Sequence, residues 1–241
     1  MLSSKRIRED LILICETYPN ERIVFCMQLV IGKDRAALID AGYKRDDALL
    51  PLIRTFTSLP VILLLTHGHT DHVANASCFD EVHIGRKDAP MLGGKIPYIP
   101  LHDGERFELG GTVLEAYALP GHSDGAFCFL CKENGYALTG DIVNRETWLC
   151  WDSCARPVAY AKRVAAFYEL LKKSGITMLL EGHTAEPLSS DLCADMIKAL
   201  EEIEAGSVLT DKAHHTEHGK IKNQHSYGKS TIIYDKESLQ K

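Results

Sequence analysis

No stretch of the chain approaches the ~18 consecutive apolar residues that a membrane-spanning helix needs, so no membrane role is expected. The first twenty residues, MLSSKRIREDLILICETYPN, hold too short an apolar run for a secretory leader and carry acids beside it. Basic charge is not in excess. The 27 Lys and Arg against 33 Asp and Glu give a formal net charge of -6, which argues against nucleic acid as a partner. Aromatics are scarce at 7%, and Trp148 and Trp151 are the only tryptophans. The eight cysteines, Cys15, Cys26, Cys78, Cys128, Cys131, Cys150, Cys154 and Cys193, follow no disulfide spacing. Without an export signal they read as free thiols in a cytoplasmic protein. Cys128 and Cys131 form a CxxC, but within the strand-like AFCFLC. Residues three apart on a strand face opposite ways, so these are expected to be core thiols rather than a metal or redox pair.

What remains is an ordinary globular composition: 241 residues, 45% hydrophobic and 25% charged, enough for a sizeable core. Strands are expected at 22–32 and 35–40 around the turn GKD, then a helix over 45–57 and a short buried strand at 61–66. EVHIG (81–85) is another strand. A hairpin turning at Gly110-Gly111 follows, then a second turning at KENG (132–135). VAYAKRVAAFYELLKK (158–173) is amphipathic, TMLLEG (177–182) is a buried strand, and 189–205 is a second helix with Ser190 or Asp191 near its N-cap. The tail from 207 to 241 is polar, rich in His and Lys, and ends in a strand-like STIIYD. No low-complexity linker interrupts the order, so one domain is expected over 1–241, with its core at about 22–205. Sheets with helices outside them are the natural packing for this order.

The ends of the buried strands carry the chemistry. VILLLT runs into HGHTDH, with His67, His69, Asp71 and His72. TVLEAYALP runs into GHSDG and His122, YALTG into Asp141, TMLLEG into His183, and RAALI into Asp40. Strand ends on one edge of a sheet converge. Glycines lie directly before His122, Asp141 and His183, where the backbone must pass close to a buried group. Five imidazoles and two carboxylates exceed what one tetrahedral ion can hold. Two divalent metals sharing Asp141 and a water would use them all, with Zn favoured and Fe or Mn possible.

With HxHxDH complete at 67–72, His122 in PGHSDG, Asp141 in TGD, His183 in EGH and Asp40 in LIDAG, the chain resembles the metallo-β-lactamase fold hydrolases over roughly 22–205. The resemblance implies an α+β fold, a four-layer αββα sandwich with the metals in a cleft at one edge of the sheets. It implies that His67, His69 and His122 hold one metal, that Asp71, His72 and His183 hold the other, and that Asp141 bridges. Asp40 would orient a ligand histidine or the nearby loop. Several departures place the chain within the family. It offers no Cys as second-metal ligand, no Glu in place of His69, and only 41 residues between Asp141 and His183. Its tail is short where glutathione thioesterases of the family add a C-terminal helical domain, and it has Asn144 where lactonases of the family carry a Tyr.

The expected chemistry is hydrolysis of an ester-like bond in a small molecule, whether thioester, lactone or carboxyl ester. A hydroxide bridging the metals would attack, and Asp71 would take or relay a proton as the catalytic carboxylate. Two other readings share the motif: a mononuclear iron dioxygenase acting on a persulfide, and a non-catalytic metal-binding scaffold. Trp148 and Trp151, in NRETWLCWDS after Asp141, are candidates to wall a substrate pocket, as is Tyr43 after LIDAG. IPYIP (96–100) reads as a rigid loop, and His83 and His102 as structural. In the tail, His214 or His215 with His218 has helical metal-binding spacing. A solvated tail is the simpler expectation there. The tail could also fold over the cleft and offer Lys220 or Lys222 to an anionic substrate.

Overall fold

The computed structural model describes residues 1–18, 23–216 and 220–236. Among them the strands form three sheets. The first takes its strands in chain order: β1 (Leu2–Arg8), β2 (Leu11–Glu16), β3 (Phe25–Ile31), β4 (Ala36–Ile39), β5 (Val61–Leu64), β6 (Val82–Ile84) and β7 (Ile99–Pro100). Pairing is antiparallel from β1 to β4 and parallel from β4 to β7. The second sheet runs β8 (Arg106–Glu108), β9 (Val113–Ala118), β10 (Phe127–Cys131), β11 (Tyr136–Gly140), β13 (Met178–Glu181) and β14 (Leu188–Ser189). Its β11 and β13 are parallel, so the chain must cross over between them, and α3 (Pro157–Lys173) lies on that crossover. The third is smaller: β12 (Glu146–Leu149), β17 (Ser230–Tyr234), β16 (Ile221–Tyr227) and β15 (Lys212–His215). The remaining α-helices are α1 (Leu49–Arg54), α2 (Thr70–Val73) and α4 (Leu192–Glu204).

The layers follow from the two-residue period of a strand. Leu11, Leu13 and Cys15 of β2 join Phe107, Leu114, Phe129 and Leu138 between the two large sheets. Their neighbours Ile12 and Ile14 face the other way, into a cluster with Leu49 and Ile53 of α1. The first sheet is therefore covered on both faces, which is why β2 and β3 read as nearly continuous apolar runs. On the far side, Tyr160, Val164, Phe167 and Leu171 form the buried stripe of α3 and pack with Met196, Leu200 and Ile203 of α4. Each such side chain contributes about 1.5–3 kcal/mol on burial. The result is the expected α+β sandwich in αββα order. Cys128 joins the helix-side cluster and Cys131 the inter-sheet one, on opposite faces as their spacing requires.

Three features differ from the sequence expectation. Two strands, β1 and β2, precede the first expected one, and Arg22 at the start of the expected strand 22–32 lies outside the described residues. The tail ends in the expected strand, β17, which pairs in parallel with β12 and buries Ile232, Ile233 and Tyr234; ahead of it, where a solvated segment was expected, lie β15 and β16. At the start of α4, Asp191 holds the N-cap position without capping the helix. Its carboxylate accepts instead from Tyr168 Oη at 2.7 Å and Ser189 Oγ at 3.1 Å.

Candidate metal centre

β4 and β5 are parallel, as are β11 and β13, and the ligand-type residues lie just beyond their carboxyl ends. His67 and His69 follow β5, with Asp71 and His72 one step on in α2. His122 follows β9, Asp141 follows β11, and His183 follows β13. The donor atoms of His67, His69 and His122 lie within 4.8 Å of one another, as do those of Asp71, His72, Asp141 and His183. Asp141 lies between the two groups. Its Oδ2 is 2.9 Å from His183 Nε2 and 3.9 Å from His122 Nε2, and its Oδ1 is 3.5 Å from His72 Nε2.

The outer nitrogen of most of these rings is fixed. His122 Nδ1 donates to the Trp148 carbonyl at 2.9 Å and His183 Nδ1 to the Val24 carbonyl at 3.0 Å. A carbonyl only accepts, so in each ring Nε2 is the atom left to face the centre. His72 Nδ1 lies 2.8 Å from Asp40 Oδ2. His67 Nδ1 lies 3.0 Å from Thr66 Oγ1, which sits 2.8 Å from Asp40 Oδ2. The hydroxyl has one proton to give, to the carboxylate, so it accepts from His67. Asp40 Oδ1 also accepts the Thr66 N–H at 2.8 Å. Asp40 therefore orients a ligand-type ring and its loop together. It does so from φ 62, the one positive φ outside glycine among the described residues, in a region that Asp tolerates.

The donor set fits a metal pair. His67 Nε2, His72 Nε2 and Asp141 Oδ1 are buried and lack any hydrogen-bond partner among the described residues. His122 Nε2 and His69 Nδ1 stand 2.9 Å apart, where a hydrogen bond between the two rings or a cation bound by both satisfies these nitrogens. With the protein's own charges, burial drives His67 well below the usual imidazole range, lowers His69, and takes His122 to about 4. These rings are neutral donors. Burial opposes protonation at His72 and His183 too, but carboxylates win. Asp141, Asp40 and Asp71 hold His72 well above its usual range, and Asp141 takes His183 to about 9. Burial would raise Asp141, yet His183 and His72 hold it well below the carboxylate range. Glycine is required before all three of His122, Asp141 and His183, and a Cβ on Gly121 would collide with the Tyr160 ring. A Cβ on Gly182 would stand 2.5 Å from Asp141 Oδ1 and 2.8 Å from His72 Cε1, and Gly140, at φ 49, leaves room for Thr66 Oγ1.

Above the donors opens a cavity of about 550 Å³. Its apolar wall is Ile23, Phe25, Met91, Trp148 and Trp151, and Asp71 faces it. The Trp151 ring centroid is 4.6 Å from that of His69. Tyr43 stands one ring back, stacked on Phe25 at 4.4 Å, and does not line the cavity. The tail reaches this wall. His214 meets Trp148 edge-on at 4.9 Å, from a strand rather than the helix its spacing suggested, and His218 lies outside the described residues. Lys222 of the tail pairs with Asp235 and is absent from the lining. His225 is buried between Asp211 at 2.7 Å and Glu202 at 2.9 Å.

Sequence reasoning missed Thr66 and Glu181. The buried Glu181 carboxylate accepts the His183 N–H at 2.7 Å and the Thr184 hydroxyl, and burial raises its pKa. Both residues flank the motifs, in LTHGH and EGHT, and adjacency was the only available signal.

Paired His-rich and carboxylate donor groups at the strand ends of an αββα sandwich define a class of two-metal centres. The chain belongs to the metallo-beta-lactamase superfamily, whose model matches residues 19–210. It is 30% identical over 123 residues to the probable polyketide biosynthesis zinc-dependent hydrolase BaeB of Bacillus velezensis, covering 48% of this chain and 52% of that protein. The chain thus spans about half the length of that relative. It is 25% identical over 195 residues to the acyl-coenzyme A thioesterase MBLAC2 of Gallus gallus, covering 64% of this chain and 70% of that one. Among solved structures, a metallo-beta-lactamase from Pontibacter korlensis superposes with a TM-score of 0.71 at 19% identity, over 83% of this chain and 99% of that one. No helix among the described residues is long and apolar enough to cross a membrane.

Proposed function

We propose that this chain is a dinuclear, metal-dependent hydrolase of an ester-like bond, a thioester, lactone or carboxyl ester, in a small molecule. The observation that carries this reading is the pair of adjoining donor groups with Asp141 between them and buried, partnerless atoms in both. A single ion could serve only one of the two groups and would leave a buried, unpartnered ring nitrogen in the other. His67, His69 and His122 would hold one ion, Asp71, His72 and His183 the other, and Asp141 both. Mixed imidazole and carboxylate donors favour zinc, as does the zinc-dependent hydrolase among the relatives. When bound, a divalent pair supplies Lewis acidity and a water acidified to a pKa of about 7.

The rest is the work of side chains. Asp71 lines the cavity with its Oδ2 at 3.5 Å from His183 Nε2, placed to accept a proton as water adds to the carbonyl and to return it to the leaving oxygen or sulfur. Ile23, Phe25, Met91, Trp148 and Trp151 shield the reacting carbonyl from bulk water and hold an apolar acyl portion. The acyl-coenzyme A thioesterase among the relatives supports an acyl substrate. Eight free thiols support a reducing, cytoplasmic setting.

Protein purified without chelator should carry close to two equivalents of zinc by plasma mass spectrometry. It should also hydrolyse at least one of a thioester, lactone and carboxyl-ester panel, and lose turnover in EDTA. Protein with no bound transition metal overturns the reading. So does fully metallated protein that is inert on the panel, or that consumes oxygen with a persulfide instead.

A further inference from the structure

Asp88 lies in the connection between β6 and β7, 1% exposed, and belongs to neither donor group. Both of its carboxylate oxygens are engaged by neutral donors. Oδ2 accepts the Gly68 N–H at 3.1 Å and the Ser123 hydroxyl at 2.6 Å, and Oδ1 accepts the Gly125 N–H at 2.8 Å. Gly68 sits between His67 and His69, and Ser123 follows His122. The carboxylate thus joins the two loops that carry the three imidazoles of one donor group.

Those loops come from different sheets. The His67–His69 loop leaves β5 of the first sheet, and the His122 loop joins β9 to β10 of the second. No strand ladder runs between the large sheets, so side-chain packing and local links between loops must set their spacing at this edge. One such link is the Phe127 N–H to the Thr66 carbonyl at 2.8 Å. Others are the Cys26 N–H to the Gly182 carbonyl at 2.7 Å and His183 Nδ1 to the Val24 carbonyl, both on the His183 side. The Asp88 carboxylate is a further link, and it joins the two loops that carry His67, His69 and His122. A buried charge held by neutral donors alone is costly unless a cation stands near it, and the His67, His69 and His122 group is where a cation would be held.

We propose that Asp88 is a positioning residue for this centre: by clamping Gly68 to Ser123 and Gly125 it holds His67 and His69 in register with His122 and sets the metal affinity of that group. The role rests on the two-metal reading above. It bears on one of the two groups first, since two of its donors, Gly68 and Ser123, adjoin His67, His69 and His122, and Asp71, His72 and His183 donate no hydrogen bond to it.

The test is a metal titration against a chromophoric chelator, with no substrate present. In a His183→Ala background only the His67 group keeps its full donor set, and in a His69→Ala background only the Asp71 group does. Asp88→Asn conserves shape, but its amide nitrogen cannot accept, so either the Gly125 bond or the bonds from Gly68 and Ser123 are lost. It should weaken zinc binding about 10- to 100-fold in the first background and leave the second within two-fold, the range typical of removing a partner that orients metal ligands. Ser123→Ala, which removes one of the three bonds without touching charge, should shift the same group in the same direction by a smaller factor. Unchanged affinity in the first background overturns the proposal. Equal losses in both backgrounds with a matching fall in Tm overturn it too, because that is what a purely structural role would give. If Asp88→Asn does not fold by circular dichroism, Ser123→Ala decides alone, and no shift there overturns the proposal. Wild-type chain that binds no zinc defeats the two-metal reading itself. Wild-type chain with two zinc ions and an indifferent Asp88→Asn defeats only the role of Asp88.

Discussion

Thr66 shows how far the control of this centre reaches beyond its ligand-type residues. Its hydroxyl gives its proton to Asp40 and receives that of His67, so one carboxylate governs two rings, His67 through Thr66 and His72 directly. Thr66→Val keeps the β-branched shape and removes the relay. We expect metal affinity to fall about ten-fold, by chelator competition, with little change in Tm. Asp40→Ala should do more, about 10- to 100-fold, because His72 loses its partner and Thr66 its acceptor. A smaller loss than for Thr66→Val would show that Asp40 acts only through the loop. The His and Asp set was legible in the sequence because it pairs a dense local motif with isolated residues at strand ends. Thr66 was not legible, since a threonine after a buried strand has many structural uses. The carbonyls of Val24 and Trp148 could not be legible at all, because every residue has one.

At the scale of elements, the strands that lead to the site, such as β4 and β5, are apolar within the sheet and give way to polar residues where they leave it at the edge. The link from strand end to site is steric as well as chemical. A methyl group at 182 would collide with Asp141 and His72, and overpacking of this kind costs about 1–3 kcal/mol. Gly182→Ala should therefore lower the occupancy of the Asp71, His72 and His183 group more than that of the His67 group, as read by zinc stoichiometry. The wall element is β12 with the turn after it, which carries Trp148 and Trp151. Trp151→Ala should raise KM for esters with bulky apolar acyl groups about five- to ten-fold while leaving kcat within about two-fold, and should spare acetyl esters. A fall in kcat with unchanged KM would mean that Trp151 supports His69 rather than the substrate. The pairing of β12 had no sequence signal of its own, because its partner β17 lies more than eighty residues later in the chain.

Across the whole molecule, the tail changes most from its sequence reading. A solvated segment was expected ahead of the strand STIIYD, yet His214 and His225 lie on strands β15 and β16 of one sheet with it, and Ile232 and Tyr234 of that strand belong to the same core cluster as α3 and α4. His225, buried between Asp211 and Glu202, anchors β16 against α4. The tail sheet thereby supports the tryptophan wall from behind. Ile232→Ala should cost about 2–5 kcal/mol in urea unfolding, as for other core truncations. A cost near zero would mean that the tail folds independently of the sandwich.

The sequence by itself determined the donor inventory and the opposed faces of Cys128 and Cys131, which depend on local spacing: a period of two in strands and a compact HxHxDH. The αββα layering was implied by the resemblance those motifs carry. Tertiary structure alone decided which carbonyls hold His122 and His183, that Tyr43 stands behind Phe25, that the tail backs the cavity, and that Asp88 clamps two loops from two sheets. Those contacts join residues far apart in the chain. Their energy comes from geometry that exists only once the sheets have packed, and no run of neighbouring residues encodes it.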